Sequence, residues 1–149
     1  MNIVRERILE FQRGQNPSDV LKLGKKKELD AWLRQHLPSV SYTINSDWTV
    51  DLKRDFIMPK SSNIMYELPE FIQFNECFGD FLIRDQYLKT MKGCPYFIHG
   101  DFMVDGNKIE DLEGCPKRVD GNFFIKRNTT KFTKEQIQKL CQVGEMIIC

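Results

Sequence analysis

Aromatic and aliphatic positions in the middle of this chain return at a fixed interval. Gly79-Asp80-Phe81, Gly100-Asp101-Phe102 and Gly121-Asn122-Phe123 follow one another at a spacing of 21 residues. Gly93-Cys94-Pro95 and Gly114-Cys115-Pro116 keep the same spacing, as do Leu88 with Ile109, Met91 with Leu112 and Ile98 with Val119. A degenerate earlier copy begins at Phe56-Ile57-Met58, with Asn63-Ile64 as its turn and Leu68-Pro69 after it. Phe56 and Phe81 are 25 residues apart, so this copy carries an insertion, placed around Phe71–Cys77.

A repeat of this length with a short strand in each copy is the mark of a stacked solenoid, whose units cannot bury their apolar sides alone. One strand per copy is predicted, at Asp55–Met58, Phe81–Ile83, Phe102–Val104 and Phe123–Ile125, paired in parallel. Successive strand residues point to opposite faces, which sends Phe81/Ile83, Phe102/Val104 and Phe123/Ile125 inward. Leu88, Met91, Ile109 and Leu112 then close the core from the far side of each coil. Gly93 and Gly114 suit tight bends there, and Pro95 and Pro116 suit the non-strand return.

The flanks carry different periods. Ile3, Ile8, Leu9 and Phe11 suggest a short helix stopped at Gly14. Asn16-Pro17-Ser18-Asp19, followed by Val20, Leu21, Leu23, Leu29, Trp32, Leu33 and Leu37, predicts an amphipathic helix ending before Pro38. Ser41–Ile44 and Trp48–Leu52 alternate around Asn45-Ser46-Asp47 as a hairpin. Thr133 and Gln136 form a capping box ahead of Ile137, Leu140 and Cys141, and Val143–Ile148 reads as a final strand. The expected fold is thus α/β, a short leucine-rich-repeat-like parallel β-solenoid in one domain. It comprises a helical cap (1–37), a β-hairpin (38–54), repeats (55–128) and a helix–strand cap (129–149).

Composition narrows the classes of function. The chain has 149 residues, 41% apolar and 29% charged, with a net charge of +1. Such a near-neutral balance argues against a dedicated nucleic-acid binder. Arg5, Glu6, Arg7 and Glu10 interrupt the region after Met1, and no apolar run nears the ~20 residues of a membrane span, so a soluble, unsecreted protein is expected. The five cysteines are an odd number without a C-x2-C pair, and His36 and His99 are the only histidines. Reduced thiols, with Cys94 and Cys115 as small buried hydrophobes, and no metal or cofactor follow from that pattern. Lys25-Lys26-Lys27, the one basic cluster, reads as a solvated helix face.

The Gly-Asp-Phe and Gly-Cys-Pro signatures resemble the leucine-rich-repeat-like proteins encoded by tailed bacteriophages and some giant viruses. The resemblance extends to Trp32-Leu33, to Tyr42-Thr43-Ile44-Asn45 with Thr49-Val50-Asp51, and to Phe132-Thr133-Lys134-Glu135-Gln136-Ile137. It implies a small repeat scaffold, expressed from a phage gene in a bacterial host cytoplasm, and leaves activity open. The family's strands carry a polar residue after the phenylalanine. Here that position holds Ile57, Leu82, Met103 and Phe124, predicted to form an outward apolar ladder across neighbouring strands. Asp80, Asp101 and Asn122 flank it on one side and Arg84, Asp105 and Lys126 on the other. An apolar stripe rimmed by charge has the character of a protein-binding surface, unless the N-terminal helices or the insertion near Phe71 and Phe74 fold over it.

Catalytic motifs are absent: no Gly-rich phosphate loop, no G-x-S-x-G and no H-E-x-x-H. His99 stands where the next repeat has Asp120 and reads as a turn residue, and His36 as a helix-end residue. Asp80 and Asp101, on strands ~5 Å apart, are the one carboxylate pair that invites comparison with a glycosidase. The expected function is therefore a non-enzymatic binder of a host protein, an adaptor or inhibitor of a defence factor, nuclease or transcription factor. Its anchors are Ile57, Leu82, Met103 and Phe124, oriented by Arg84 and Lys126. The alternatives are an RNA-binding regulator using Lys25–Lys27, Arg34, Trp32, Trp48 and Tyr42, or a homodimer joined through the stripe.

Overall fold

The structure is a computed structural model that describes residues 17–37, 42–58 and 65–149. The short helix expected over residues 3–14, the start of the hairpin at Ser41 and the Asn63-Ile64 turn lie outside these residues. The chain forms two compact units, Met1–Pro38 and Ser39–Cys149.

The first unit contains α1 (Pro17–His36). Pro17 suits the first helical position, where its missing N–H would have no intrahelical partner. Pro38 disfavours a helical backbone at Leu37, which sets the end. Leu29, Leu33 and Leu37 recur every fourth residue and are buried, whereas Lys25, Lys26 and Lys27 are exposed. Arg34 pairs with Asp30 at 3.0 Å. The His36 ring stacks on Trp32 at 4.3 Å, and its Nδ1 donates to the Trp32 carbonyl at 3.0 Å.

The second unit is the solenoid. It opens with β1 (Tyr42–Ile44) and β2 (Val50–Leu52), an antiparallel hairpin. Asp47 Oδ1 accepts from the Thr49 N–H and hydroxyl at the bend, which holds the Asp47 carboxyl below its usual value. Trp48, expected in the second strand, lies in the turn with φ +69°. Then come β3 (Phe56–Ile57), β4 (Phe74–Cys77), β5 (Phe81–Leu82), β6 (Phe97–Ile98), β7 (Phe102–Met103), β8 (Arg118–Val119) and β9 (Phe123–Phe124). After α2 (Lys134–Gln138), whose capping box at Thr133 and Gln136 is formed as expected, β10 (Gln142–Val143) and β11 (Ile147–Ile148) finish the stack.

Two sheets result, in the orders β1-β2-β4-β6-β8-β10 and β11-β9-β7-β5-β3, all parallel apart from the β1–β2 hairpin. The expectation of one strand per repeat is therefore corrected. Each coil turns a corner and contributes one strand to each sheet. Leu52, Cys77, Ile98, Val119 and Val143 stand in one sheet, and Phe56, Phe81, Phe102, Phe123 and Ile147 in the other, always four residues later. The supposed insertion at Phe71–Cys77 is likewise corrected, because it contains β4. The final strand expected at Val143–Ile148 is split into β10 and β11 by the same corner.

The corner explains the Gly-Asp signature. Gly121 N–H donates to the Gly100 carbonyl and Gly100 N–H to the Gly79 carbonyl, so these backbones stack directly. A Cβ on Gly100 would stand 2.9 Å from the Gly79 carbonyl oxygen, which leaves no room for a side chain. The adjacent acidic or amide side chain ties successive corners. Oδ1 of Asp55, Asp80, Asp101 and Asn122 accepts from the backbone N–H of Asp80, Asp101, Asn122 and Met146, at 2.7, 2.7, 2.7 and 3.0 Å. Behind the corner, Gly93 and Gly114 take φ of +90° and +80° at the expected bends.

The core is a column of rings. Phe56 stacks on Phe81 at 4.5 Å, Phe81 on Phe102 at 6.1 Å, and Phe102 meets Phe123 edge-on at 5.0 Å. Phe74 places its edge against Phe56 and Phe81 at 5.4 and 5.6 Å. Ile83, Val104, Leu88, Ile109 and Met91 are fully buried around this column. A second ladder closes the polar stretch of the repeat. Asn107 accepts from the Gln86 and Leu88 N–H groups and donates to the carbonyls of Ile83, Val104 and Asp105. One coil further on, Asn128 accepts from Ile109 and donates to Val104, Ile125 and Lys126.

Candidate functional site

The outer face of the β3–β5–β7–β9–β11 sheet carries the expected ladder. Ile57 pairs with Leu82, Leu82 with Met103, Met103 with Phe124, and Phe124 with Ile148, each in direct register. Strand spacing makes this a stripe about 19 Å long. Ile57 is 60% exposed, and Leu82, Met103, Phe124 and Ile148 are half-buried. Ile148 belongs to the stripe and was missed by the sequence reading, because β11 has no Gly-Asp-Phe signature. Phe74 does not cover the stripe, since its ring lies in the core on the opposite side of the sheet.

The flanking charges sort differently from expectation. Arg84 and Lys126 are exposed beside the stripe. Asp105 is 8% exposed, and its Oδ1 accepts the Lys126 N–H at 2.9 Å, so it is part of the scaffold rather than the rim. Burial raises its carboxyl above the usual value, against the Lys126 hydrogen bond and the Arg84 and Arg127 charges. Asp80, Asp101 and Asn122 are likewise engaged in the corner ladder. The carboxylate pair that invited comparison with a glycosidase holds backbone instead.

A second cluster lies on the β4–β6–β8 side, and the sequence reading passed over it. His99 Nε2 donates to Glu76 Oε1 at 2.7 Å, and His99 Nδ1 stands 3.9 Å from Asp120 Oδ2. The imidazole is sandwiched by Phe78 at 4.7 Å and Phe97 at 4.1 Å. Arg118 bonds Asp120 at 2.9 Å and lies over the Phe97 ring at 5.0 Å. His99 therefore bridges three coils and is more than a tolerated turn residue. The signal was available: Phe78, His99 and Asp120 follow the same 21-residue spacing, as do Gln86, Asn107 and Asn128. The cluster fastens the coils, with its imidazole nitrogen committed to Glu76.

Two surface depressions accompany these faces. One, of about 490 Å³, lies at the β10–β11 end beside Lys126, Lys134 and Met146. The other, of about 500 Å³, lies on the return side beside Glu67, Glu70, Lys92 and Glu113. Among the described residues, no group of three His, Cys, Asp or Glu side chains could hold a metal ion. Among them, too, no helix is long and apolar enough to cross a membrane. Of the residues considered for RNA, Lys25, Lys26 and Lys27 are exposed on α1, but Trp32 and Arg34 are engaged with His36 and Asp30. Tyr42 and Trp48 belong to the solenoid unit.

The fold defines a short parallel β-solenoid with two distinct outer faces. No protein-family model matches the chain, and no curated protein or solved structure matches it.

Proposed function

We propose that this protein is a non-enzymatic binding module that engages a protein of a bacterial host, as an adaptor or inhibitor, through the outer face of its β3–β5–β7–β9–β11 sheet. The observation that carries this reading is the in-register run Ile57–Leu82–Met103–Phe124–Ile148. Apolar side chains on a sheet face that need not be apolar for folding mark a surface used for contact. Leu82, Met103 and Phe124 are the central anchors, and exposed Arg84 and Lys126 orient the partner by charge. A defence factor, nuclease or transcription factor would suit a phage-derived scaffold of this kind, working in the host cytoplasm.

The double substitution Met103→Asp/Phe124→Asp tests the reading, because both side chains are half-buried and outside the ring column. Wild type and variant are used to capture a partner, which is then purified and titrated against each. A stoichiometric complex with wild type, weakened at least about 100-fold in a variant of unchanged melting temperature, is expected for the loss of two central anchors. Equal affinity of the folded variant would place the partner elsewhere. A wild type that is dimeric, beside a monomeric variant, would identify the stripe as a self-association surface.

A further inference from the structure

Three columns of side chains stand on the outer face of the β3–β5–β7–β9–β11 sheet, two residues apart along each coil. Asp55, Asp80, Asp101 and Asn122 form the first, the apolar stripe the second, and Arg84 and Lys126 the third. Oδ1 of each aspartate is spent on the backbone of the next coil. Among the described residues, however, none of the three carboxylates forms an ion pair. Like charges therefore repeat at about the 4.8 Å strand spacing, with no cation between them. Arg84 and Lys126 are exposed and likewise form no ion pair among the described residues. Asp105, between them, is buried against the Lys126 N–H and answers part of the Arg84 charge. The stripe thus separates an acidic column from a basic one.

We propose that the occupant of this face is a single amphipathic α-helix of the partner, with an apolar line, basic residues along one flank and acidic residues along the other. The inference rests on the binding reading above and names the kind of partner. The stripe is one side chain wide, which suits the apolar line of one helix rather than the broad face of a sheet. Four residues separate the aspartate column from the Arg84–Lys126 column, about 13 Å of extended chain. A helix with its side chains is about 10–12 Å across and lies between the two columns. The stripe, about 19 Å long, takes about 13 residues of helix. Apolar side chains at i, i+4, i+7 and i+11 advance about 5.3 Å per step, against about 4.8 Å between coils, so each meets one coil. Lysine or arginine on one flank answers Asp55, Asp80 and Asp101, and glutamate or aspartate on the other answers Arg84 and Lys126. Turning the helix end for end exchanges its flanks. Every helix with opposite signs on its two flanks therefore fits in one direction, and a helix with one sign on both fits in neither.

Three helical peptides of about 15 residues serve as probes, each with leucines at i, i+4, i+7 and i+11. Their flanks carry lysine opposite glutamate, lysine alone, or glutamate alone. Fluorescence anisotropy titration against the full chain should rank the mixed peptide first, at least about tenfold tighter than either single-sign peptide. A proline at the centre of the mixed peptide should abolish its binding, since it breaks the helix. In Arg84→Glu/Lys126→Glu both columns are acidic, and the preference should pass to the lysine-only peptide. Met103→Asp/Phe124→Asp should bind none of them. Equal binding of the proline peptide would overturn the helix, and equal affinity for all three charge patterns would overturn the flanks. A wild type that sediments as a dimer would give the face to a second copy instead. Absence of binding by every peptide up to about 1 mM would overturn the inference. In that event, a captured partner protein still lost from folded Met103→Asp/Phe124→Asp would show that the binding face itself stands.

Discussion

Asn107 serves five backbone groups with one buried amide, accepting two N–H bonds and donating toward three carbonyls on two coils. Asn107→Leu keeps much of the volume but leaves those groups unpaired in a place 2% exposed. A loss of about 3 kcal/mol is expected by urea denaturation, set by the cost of orphaned buried polar groups. Asp105 behaves in the opposite sense. Its pKa is raised in the folded protein by burial, so its contribution favours folding below the unfolded pKa and is lost as pH rises through the folded one. Asp105→Asn keeps an oxygen for the Lys126 N–H and removes the buried charge. Its melting temperature should exceed that of wild type at neutral pH, and the gain should vanish below the ordinary carboxylate range. A variant less stable at neutral pH would mean that Arg84 and Arg127 outweigh burial.

At the scale of the element, the corner is the unit of construction. The glycine admits direct stacking of backbones, the aspartate or asparagine ties one corner to the next, and the following phenylalanine turns into the ring column. Gly100→Ala places a Cβ 2.9 Å from the Gly79 carbonyl oxygen. About 2 kcal/mol of destabilisation is expected from that overlap, measured by denaturant titration. Much of this was legible in the residues: the repeat spacing, the inward phenylalanines, the bends at Gly93 and Gly114, and the capping box at Thr133. The second strand of each coil was not. Its inward member, Ile98 or Val119, stands alone between polar and aromatic neighbours, so no alternation announces it. Two-residue strands owe their existence to pairing with the coils on either side, an interaction between residues 21 or more apart that no local pattern displays.

For the whole molecule, stability is a sum over neighbouring coils, and the constant spacing makes the sum modular. Deleting residues 87–107 removes one complete period, joining Gln86 to Lys108 as Asn107 was joined before. That shortened chain should retain the circular dichroism of the parent with a lower melting temperature. Deleting one residue fewer should abolish cooperative unfolding, because every inward position after the junction is displaced. The spacing, the inward rings and the outward apolar position after each phenylalanine were determined by the sequence, since they depend on side-chain type at fixed intervals. Only the tertiary structure decided which polar residues face solvent. Asp80, Asp101, Asp105, Asn107 and His99 look alike as polar letters in a loop. Stacking brings each within hydrogen-bonding reach of a neighbouring coil, and the cost of burying an unpaired polar group makes them ties of the scaffold.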